Sequence, residues 1–326
     1  MKPTWQNALI HSIKTIHELC DFLELDYNAL NKQFHVSPNF PVRVPVDFAM
    51  CMKKGDVKDP LLLQVLPRIE ETVFHAEFIK DPVGDLKSTT KSGLIHKYKN
   101  RVLMTVSGNC AVHCRYCFRQ YFPYSETQFS SEKLADMCAY IKTHSEVTEL
   151  ILSGGDPLSV SDKQIAYICH EISLLEQIKT VRFHTRFPVV IPSRITPEFI
   201  DVLASLSKNK VMVLHINHPN EISRDLEKGV RLLKSVGCTI LNQAVLLKGV
   251  NDSVDTLTHL SERLFDVGIL PYYLNQLDKV EGASHFEVPI ERGKLLINEL
   301  RARLSGYLVP RYIQEISGET NKTVIL

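Results

Sequence analysis

Three of the chain's cysteines crowd into eight positions, in the segment Ser107-Gly108-Asn109-Cys110-Ala111-Val112-His113-Cys114-Arg115-Tyr116-Cys117-Phe118-Arg119. The spacing is C-x3-C-x2-C. A loop of this length can fold three thiolates around one point and leaves a fourth position open. Structural zinc takes four ligands, often as two C-x2-C pairs, and no second pair exists here. His113 could ligate, but it reads more simply as a loop residue. A four-iron cluster held by three cysteines keeps one iron free for a small molecule. The crowded thiols therefore point to a metal centre with an open corner, with zinc as the alternative reading. The other five, Cys20, Cys51, Cys138, Cys169 and Cys238, are scattered among apolar residues, where a free Cys behaves as a small hydrophobe.

Other segments carry weaker signals. Ser153-Gly154-Gly155-Asp156-Pro157 reads either as a tight turn or as bare backbone that a ligand can approach closely. His215-Ile216-Asn217-His218-Pro219 invites a metal reading, but polar loop histidines are the simpler one. Gly318-Glu319-Thr320-Asn321-Lys322-Thr323 faintly suggests a phosphate loop. It lacks the glycine before Lys322 and the helix that must follow.

These residues need elements to position them. From about residue 101, short β-branched runs alternate with segments of helical period. The predicted strands are Val102–Val106, Glu149–Ser153, Val181–Thr185, Val211–Ile216, Thr239–Leu246 and Ile269–Leu274. The predicted helices lie near 131–144, 161–176, 197–207, 221–236, 253–267 and 288–304. Ser130 and Thr196 read as N-caps, with Pro197 at the first helical position. Six strand–helix units imply parallel pairing through right-handed crossovers. The expected fold is α/β, a partial (β/α)6 barrel, with active groups at the C-terminal strand ends. The doubly wound sheet is the alternative. Residues 1–95 read as a mainly helical extension. Leu9, Ile13 and Ile16 recur at helical spacing, Pro38, Pro41 and Pro45 punctuate the chain, and Leu61 to Leu66 suggest a short helix stopped by Pro67. The barrel is expected over 96–304 and a C-terminal segment over 305–326.

Composition bounds the function. The chain has 326 residues, 44% hydrophobic and 23% charged, with 38 basic and 37 acidic residues for a net charge of +1. This balance argues against broad binding to nucleic acid or an anionic membrane. The start, MKPTWQNALIHS, has no apolar secretory run, and no apolar stretch reaches the roughly 18 residues of a membrane helix. A cytoplasmic protein is expected.

A cysteine loop of this spacing after the first barrel strand resembles the signature of the radical S-adenosylmethionine (SAM) enzymes. That resemblance implies a 4Fe-4S cluster on Cys110, Cys114 and Cys117, with SAM on the open iron. It also implies SAM contacts from Ser153, Gly154, Gly155, Asp156 and His215. From Phe40 to Lys322 the chain resembles the lysine 2,3-aminomutase family. The match runs through Asp59-Pro60-Leu61-Leu62, His96-Lys97-Tyr98, Thr185-Arg186-Phe187-Pro188, Asn242-Gln243-Ala244-Val245, Gly249-Val250-Asn251-Asp252 and Pro271-Tyr272-Tyr273. In particular it resembles the short bacterial branch that supplies β-lysine for modification of elongation factor P, and this branch makes the (R) product.

The resemblance implies pyridoxal 5′-phosphate (PLP) as a second cofactor, with Lys322 as its Schiff-base lysine. Tyr98, Arg101 and Gln243 match residues around the cofactors, Gln243 on the SAM side. Arg119 matches the arginine that grips the substrate carboxylate. Asp278 matches one of two carboxylates that receive the distal ammonium of L-lysine, and Glu315 stands where the second is usually an aspartate. Two anionic groups favour a cationic side chain over glutamate. The longer aminomutases carry extra C-terminal cysteines for zinc, which this chain lacks. A functional link to the enzyme that lysylates elongation factor P and a homo-oligomeric state are left open. The rival readings are a radical SAM aminomutase for another amino acid and a non-catalytic metal-binding scaffold.

Overall fold

The computed structural model describes residues 4–35, 37, 40–90, 93–125 and 129–326. Pro38 lies outside the described residues. Nine strands form one sheet in sequence order, β1 (Leu94–Tyr98), β2 (Arg101–Ser107), β3 (Glu149–Gly154), β4 (Thr180–Thr185), β5 (Asn209–Leu214), β6 (Cys238–Val245), β7 (Leu270–Asn275), β8 (Arg311–Gln314) and β9 (Thr323–Val324). Strands β2 to β8 pair in parallel, and antiparallel β1 and β9 flank them. The six expected strands are β2 to β7. The sheet order runs from β1 to β9 without returning, so the barrel is open.

Strands β2 and β3 are largely buried, whereas β4 and β6 alternate buried and less buried residues, one face under the helices and the other toward the interior. In β3, five of six residues are buried. Helices Ser131–Lys142, Asp162–Ser173, Pro197–Ser205, Arg224–Ser235, Val254–Asp266 and Ile290–Arg303 alternate with the strands. The first five start on Ser130, Ser161, Thr196, Ser223 and Ser253, each accepting a backbone N–H in the first turn. Each such cap contributes about 1 kcal/mol. Together they fix where the chain turns from strand to helix, at the end of the barrel where the site lies.

The N-terminal segment departs from the expected periodicity. Trp5–Ile10 and Ile16–Phe22 are separate helices, and Ile13 between them pairs as an isolated bridge with Val44. Thr15 caps the second helix in a reciprocal box with Glu18, which breaks the apparent period. The expected helix over Leu61 to Leu66 is only Pro60–Leu63, capped by Asp59. Trp5 packs edge-on against Phe187 at 5.5 Å, so this segment shares the barrel's core. Fully buried Arg194 bonds the carbonyls of Leu158 (2.6 Å) and Val160 (3.1 Å) and the Asp162 carboxylate (2.7 Å). It thereby fixes the turn that follows β3. Among the described residues no helix is long and apolar enough to cross a membrane.

Strand β8 and the last helix meet through a glycine. A Cβ on Gly293 would lie 2.2 Å from the hydroxyl of Tyr312, which is fully buried and bonds Gln276. Gly293→Ala should therefore destabilise the fold by about 1–3 kcal/mol, the ordinary range for overpacking. The check is the urea midpoint of the purified variant. A midpoint equal to wild type would show that the helix shifts freely on β8.

Candidate active site

A cavity of about 420 Å³ opens at the C-terminal ends of the parallel strands. All fifteen residues singled out in the sequence line it: Cys110, Cys114, Cys117, Tyr98, Arg101, Arg119, Ser153, Gly154, Gly155, Asp156, His215, Gln243, Asp278, Glu315 and Lys322. They come from strand ends or from loops just beyond them.

The cysteine loop follows β2, and the N-terminal segment clamps it. Arg115 bonds Gln64 O through its backbone at 2.9 Å, Phe40 O at 2.8 Å and the Glu71 carboxylate at 2.9 Å. His113 bonds Pro41 O at 2.8 Å and stacks on Phe40, so it serves the loop. All three thiols are free and half-buried. Burial, then Cys114, pushes the Cys117 thiol up to about 12. Without metal it carries a proton that metal binding must displace. Among the described residues no three His, Cys, Asp or Glu side chains gather tightly enough to hold a single ion.

The glycine pair after β3 carries the first part of this loop. A Cβ on Gly154 (φ +121°) would meet Ser107 O at 2.4 Å, and one on Gly155 would meet the Gly108 and Asn109 backbone at 2.7 Å. The Gly154 carbonyl accepts from Tyr124 Oη at 2.7 Å. Asp156 is buried and satisfied from four sides. It accepts from Leu158 N (2.9 Å), Thr185 Oγ1 (2.7 Å), Arg186 N (2.9 Å) and Phe187 N (3.0 Å). Its side chain ties the loop after β3 to the loop after β4. Burial still raises its carboxyl to about 6 against these bonds.

A chain of charges also lines the cavity. Arg119 Nε bonds Asp85 Oδ2 at 2.6 Å, Lys97 meets Asp85 at 2.5 Å and Glu315 at 2.9 Å, and Glu315 meets Lys322 at 3.3 Å. Lys322 also bonds Asn275 Oδ1 at 3.3 Å and lies 5.8 Å from the Tyr273 ring centre. Burial opposes ionisation, yet Lys322 and Lys97 hold Glu315 below its usual value, and Arg119 and Lys97 do the same for Asp85. Arg101 covers the Tyr98 ring at 4.3 Å. Arg119 Nη1 also reaches Ser153 Oγ at 3.4 Å. Asp85 and Lys97 were not singled out by sequence reasoning. Asp85 follows Gly84 in a polar loop with no motif, and Lys97 shares a strand with Tyr98. Their importance lies in contacts across the fold.

Neutral groups form the floor. His215 Nε2 is 3.0 Å from Gln243 Nε2, and His184 packs edge-on against His215 at 5.9 Å. Burial, then Arg186, Lys322 and Arg119, pushes His215 down to about 3, and His184 is lowered for like reasons. Gln243 Oε1 and His184 Nε2 are buried without a hydrogen-bond partner. His218 instead faces the next turn and accepts from Asn220 N at 3.2 Å.

This arrangement can be set beside known proteins. Residues 104–260 match the Radical SAM superfamily. A protein of Buchnera aphidicola subsp. Baizongia pistaciae named L-lysine 2,3-aminomutase is 42% identical over 325 residues, covering 99% of this chain and 96% of that one. The chain belongs to the L-lysine 2,3-aminomutase family. Proteins of the same name from Haemophilus influenzae (42% identity, 98% of this chain and 95% of that one) and Escherichia coli (44%, 87% and 83%) are similar too.

Membership in this radical SAM family implies a 4Fe-4S cluster and SAM. The residues fit both. Three free thiols line one wall, and Arg186 Nη1 lies 2.8 Å from Cys114 Sγ, a donor suited to a metal-bound thiolate. The buried Gln243 Oε1, in the same cavity as the cysteines, lacks a hydrogen-bond partner, as a ligand-facing acceptor would.

Asp278 sets a pH dependence for the aminomutase fold. Burial raises its carboxyl from 3.8 to about 7, against the opposing pull of Lys322. Between these values the folded chain holds a proton that the unfolded chain has lost. The resulting stability is complete below about 4 and gone above about 7, falling by at most about 1.4 kcal/mol per pH unit. Asp278→Asn removes the titration. The melting temperature of the metal-free variant should gain on wild type from pH 5 to pH 8 and then level off. Parallel curves would show that Asp278 titrates at its ordinary value.

Proposed function

We propose that the protein converts L-lysine to β-lysine by moving the 2-amino group to carbon 3, with PLP on Lys322 as a second cofactor. The observation that carries this reading is the Lys322–Glu315 pair at 3.3 Å in the cavity lined by the three cysteines. It joins an amine, a carboxylate that orients it and the cysteine loop in one cavity. When bound, a reduced 4Fe-4S cluster with SAM supplies one-electron chemistry that removes and returns a hydrogen, and PLP supplies the carbonyl that carries the migrating nitrogen.

The chain's own residues do the rest. Lys322 attacks a carbonyl only as the free amine, and Glu315 Oε2 at 3.3 Å holds its side chain toward the cavity. Asp85 holds Arg119 by Nε, which leaves the outer nitrogens to grip a substrate carboxylate. Tyr98 and Arg101, paired on the cavity rim, suit the PLP phosphate end. Glu315 and Asp278 put two acidic groups on the cavity, which would attract the distal ammonium of lysine and repel the side chain of glutamate. The cavity walls exclude water from reactive species.

The (R) product and its use in modifying elongation factor P follow from the resemblance to the short bacterial branch. Relatives from Haemophilus influenzae and Buchnera that match over 95% and 96% of their own length support it. Eight free thiols support a reducing, cytoplasmic setting.

The test is anaerobic incubation with SAM, PLP, a reductant and lysine, glutamate or arginine in turn. Lysine alone should give the β-amino acid. Turnover of glutamate or arginine instead would overturn the substrate. Lys322→Ala should keep its iron and sulfide yet lose lysine turnover at least about a hundredfold. Borohydride should fix PLP to the wild-type peptide that contains Lys322. Wild-type turnover by the alanine variant would remove Lys322 from the reaction.

A further inference from the structure

Arg186 is a buried cation beside the cysteine wall to which the reaction above gives no task. It follows β4 and is 6% exposed. Its Nη1 donates to Cys114 Sγ at 2.8 Å and to Tyr116 Oη at 2.7 Å. Its Nη2 donates to Gln64 Oε1 at 2.6 Å and to Glu221 Oε2 at 2.9 Å. Four partners hold the guanidinium in one orientation, and the partners are themselves held. Gln64 Nε2 bonds Pro60 O at 3.1 Å and Glu221 Oε1 at 3.0 Å. Asn217 Nδ2 bonds Gln64 Oε1 at 2.9 Å and Tyr116 Oη at 2.7 Å. Glu221 is fully buried and accepts the backbone N–H groups of Asn217 (3.0 Å) and His218 (3.1 Å).

The pair is directional. One guanidinium nitrogen meets sulfur and the other meets the carboxylate. Glu221 cancels the net charge and makes burial tolerable, but the positive end still faces the thiolate. A thiolate that ligates iron gains negative charge when the cluster takes an electron. A charge-assisted N–H bond to that sulfur stabilises the reduced form more than the oxidised one, and hydrogen bonds to sulfur are among the levers that set cluster potentials.

We propose that Arg186 is a positioning residue that raises the reduction potential of a cluster held by Cys114, with Glu221 limiting the effect. The inference rests on the reading that Cys110, Cys114 and Cys117 carry a 4Fe-4S cluster. It explains why a buried ion pair spans the loop after β4, the turn after β5 and Gln64 of the N-terminal segment, when an apolar plug would pack as well.

The experiment is a redox titration of anaerobically reconstituted holoprotein, followed by the EPR signal of the reduced cluster, with iron and sulfide counted per chain. Arg186→Gln should shift the midpoint to more negative potential and Arg186→Lys less so, because one ammonium cannot serve both sulfur and carboxylate. Glu221→Gln should shift it the opposite way by leaving the cation uncompensated. A purely structural role would lower cluster occupancy without moving the midpoint in opposite directions. Equal midpoints for loaded Arg186→Gln and wild type overturn the proposal. Should that variant take up no iron, an unmoved or more negative midpoint in Glu221→Gln overturns it, and an unmoved midpoint in Arg186→Lys does so if both neutral variants stay empty. A wild-type protein that assembles no cluster defeats the cluster reading and the inference together. A loaded protein with an immobile midpoint defeats the inference alone.

Discussion

Five charged side chains alternate in sign along one wall of an open barrel, and the site's shape depends on them. Arg119, Asp85, Lys97, Glu315 and Lys322 come from the cysteine loop, the N-terminal segment, β1 and the C-terminal segment. Strands β1 and β9 are the ends of the sheet order, with no ladder between them. The Lys97–Glu315 ion pair instead joins β1 to the segment between β8 and β9. Such pairs, mostly removed from water, add little net stability over an apolar contact, but losing one member leaves a buried unpaired charge that costs several kcal/mol. The chain of charges is therefore better understood as a device for alignment. It holds these five groups in register across a gap that backbone hydrogen bonding does not close.

The cysteine loop obeys a different constraint. It has no regular structure of its own, so its backbone groups must be satisfied from outside. The N-terminal segment does this through the carbonyls of Gln64 and Arg43, which accept from Arg115 N and His113 N, and through Arg43 Nη1, which donates to Cys110 O. The carbonyls of Phe40 and Pro41 accept from the loop's Arg115 and His113 side chains. The two glycines after β3 let the loop's first residues lie directly on the strand end. The extension thus belongs to the site as much as the barrel does, and its core is continuous with that of the barrel.

Much of this was legible in the residues. The six inner strands stand where the short apolar runs were read, and the caps Ser130 and Thr196 mark helix starts that the structure retains. Strand β8 was not legible, because Arg311–Gln314 is four residues long and alternates with no strong pattern. β1 was hidden for a similar reason, since Leu94–Tyr98 mixes His and Lys into a half-buried edge. The period through Leu9, Ile13 and Ile16 misled because burial came from two helices and a bridge that meet in space. Within the site, residue types announced the cysteine loop. Asp85 could not announce itself, because a lone aspartate in a polar loop acquires meaning only when Arg119 and Lys97 fold onto it. Asp156 was found for its motif, yet its side chain is spent on loops, with all four bonds going to Leu158, Thr185, Arg186 and Phe187.

The charged wall has a counterpart in the neutral floor. The cavity already holds Arg119, Lys97, Lys322 and Arg186 as cations, and SAM would add a sulfonium. Two protonated imidazoles at His184 and His215 would be repelled by these charges at low dielectric, where Coulomb energies are large. Burial and the surrounding cations settle this by holding both rings neutral. A neutral imidazole keeps one nitrogen as an acceptor and one as a donor, so the floor can bond a zwitterionic ligand without adding charge. The same reasoning accounts for Gln243, which can offer an acceptor and a donor at no electrostatic cost. The two imidazoles and the Gln243 amide thus add no charge beside the cations that already line the cavity.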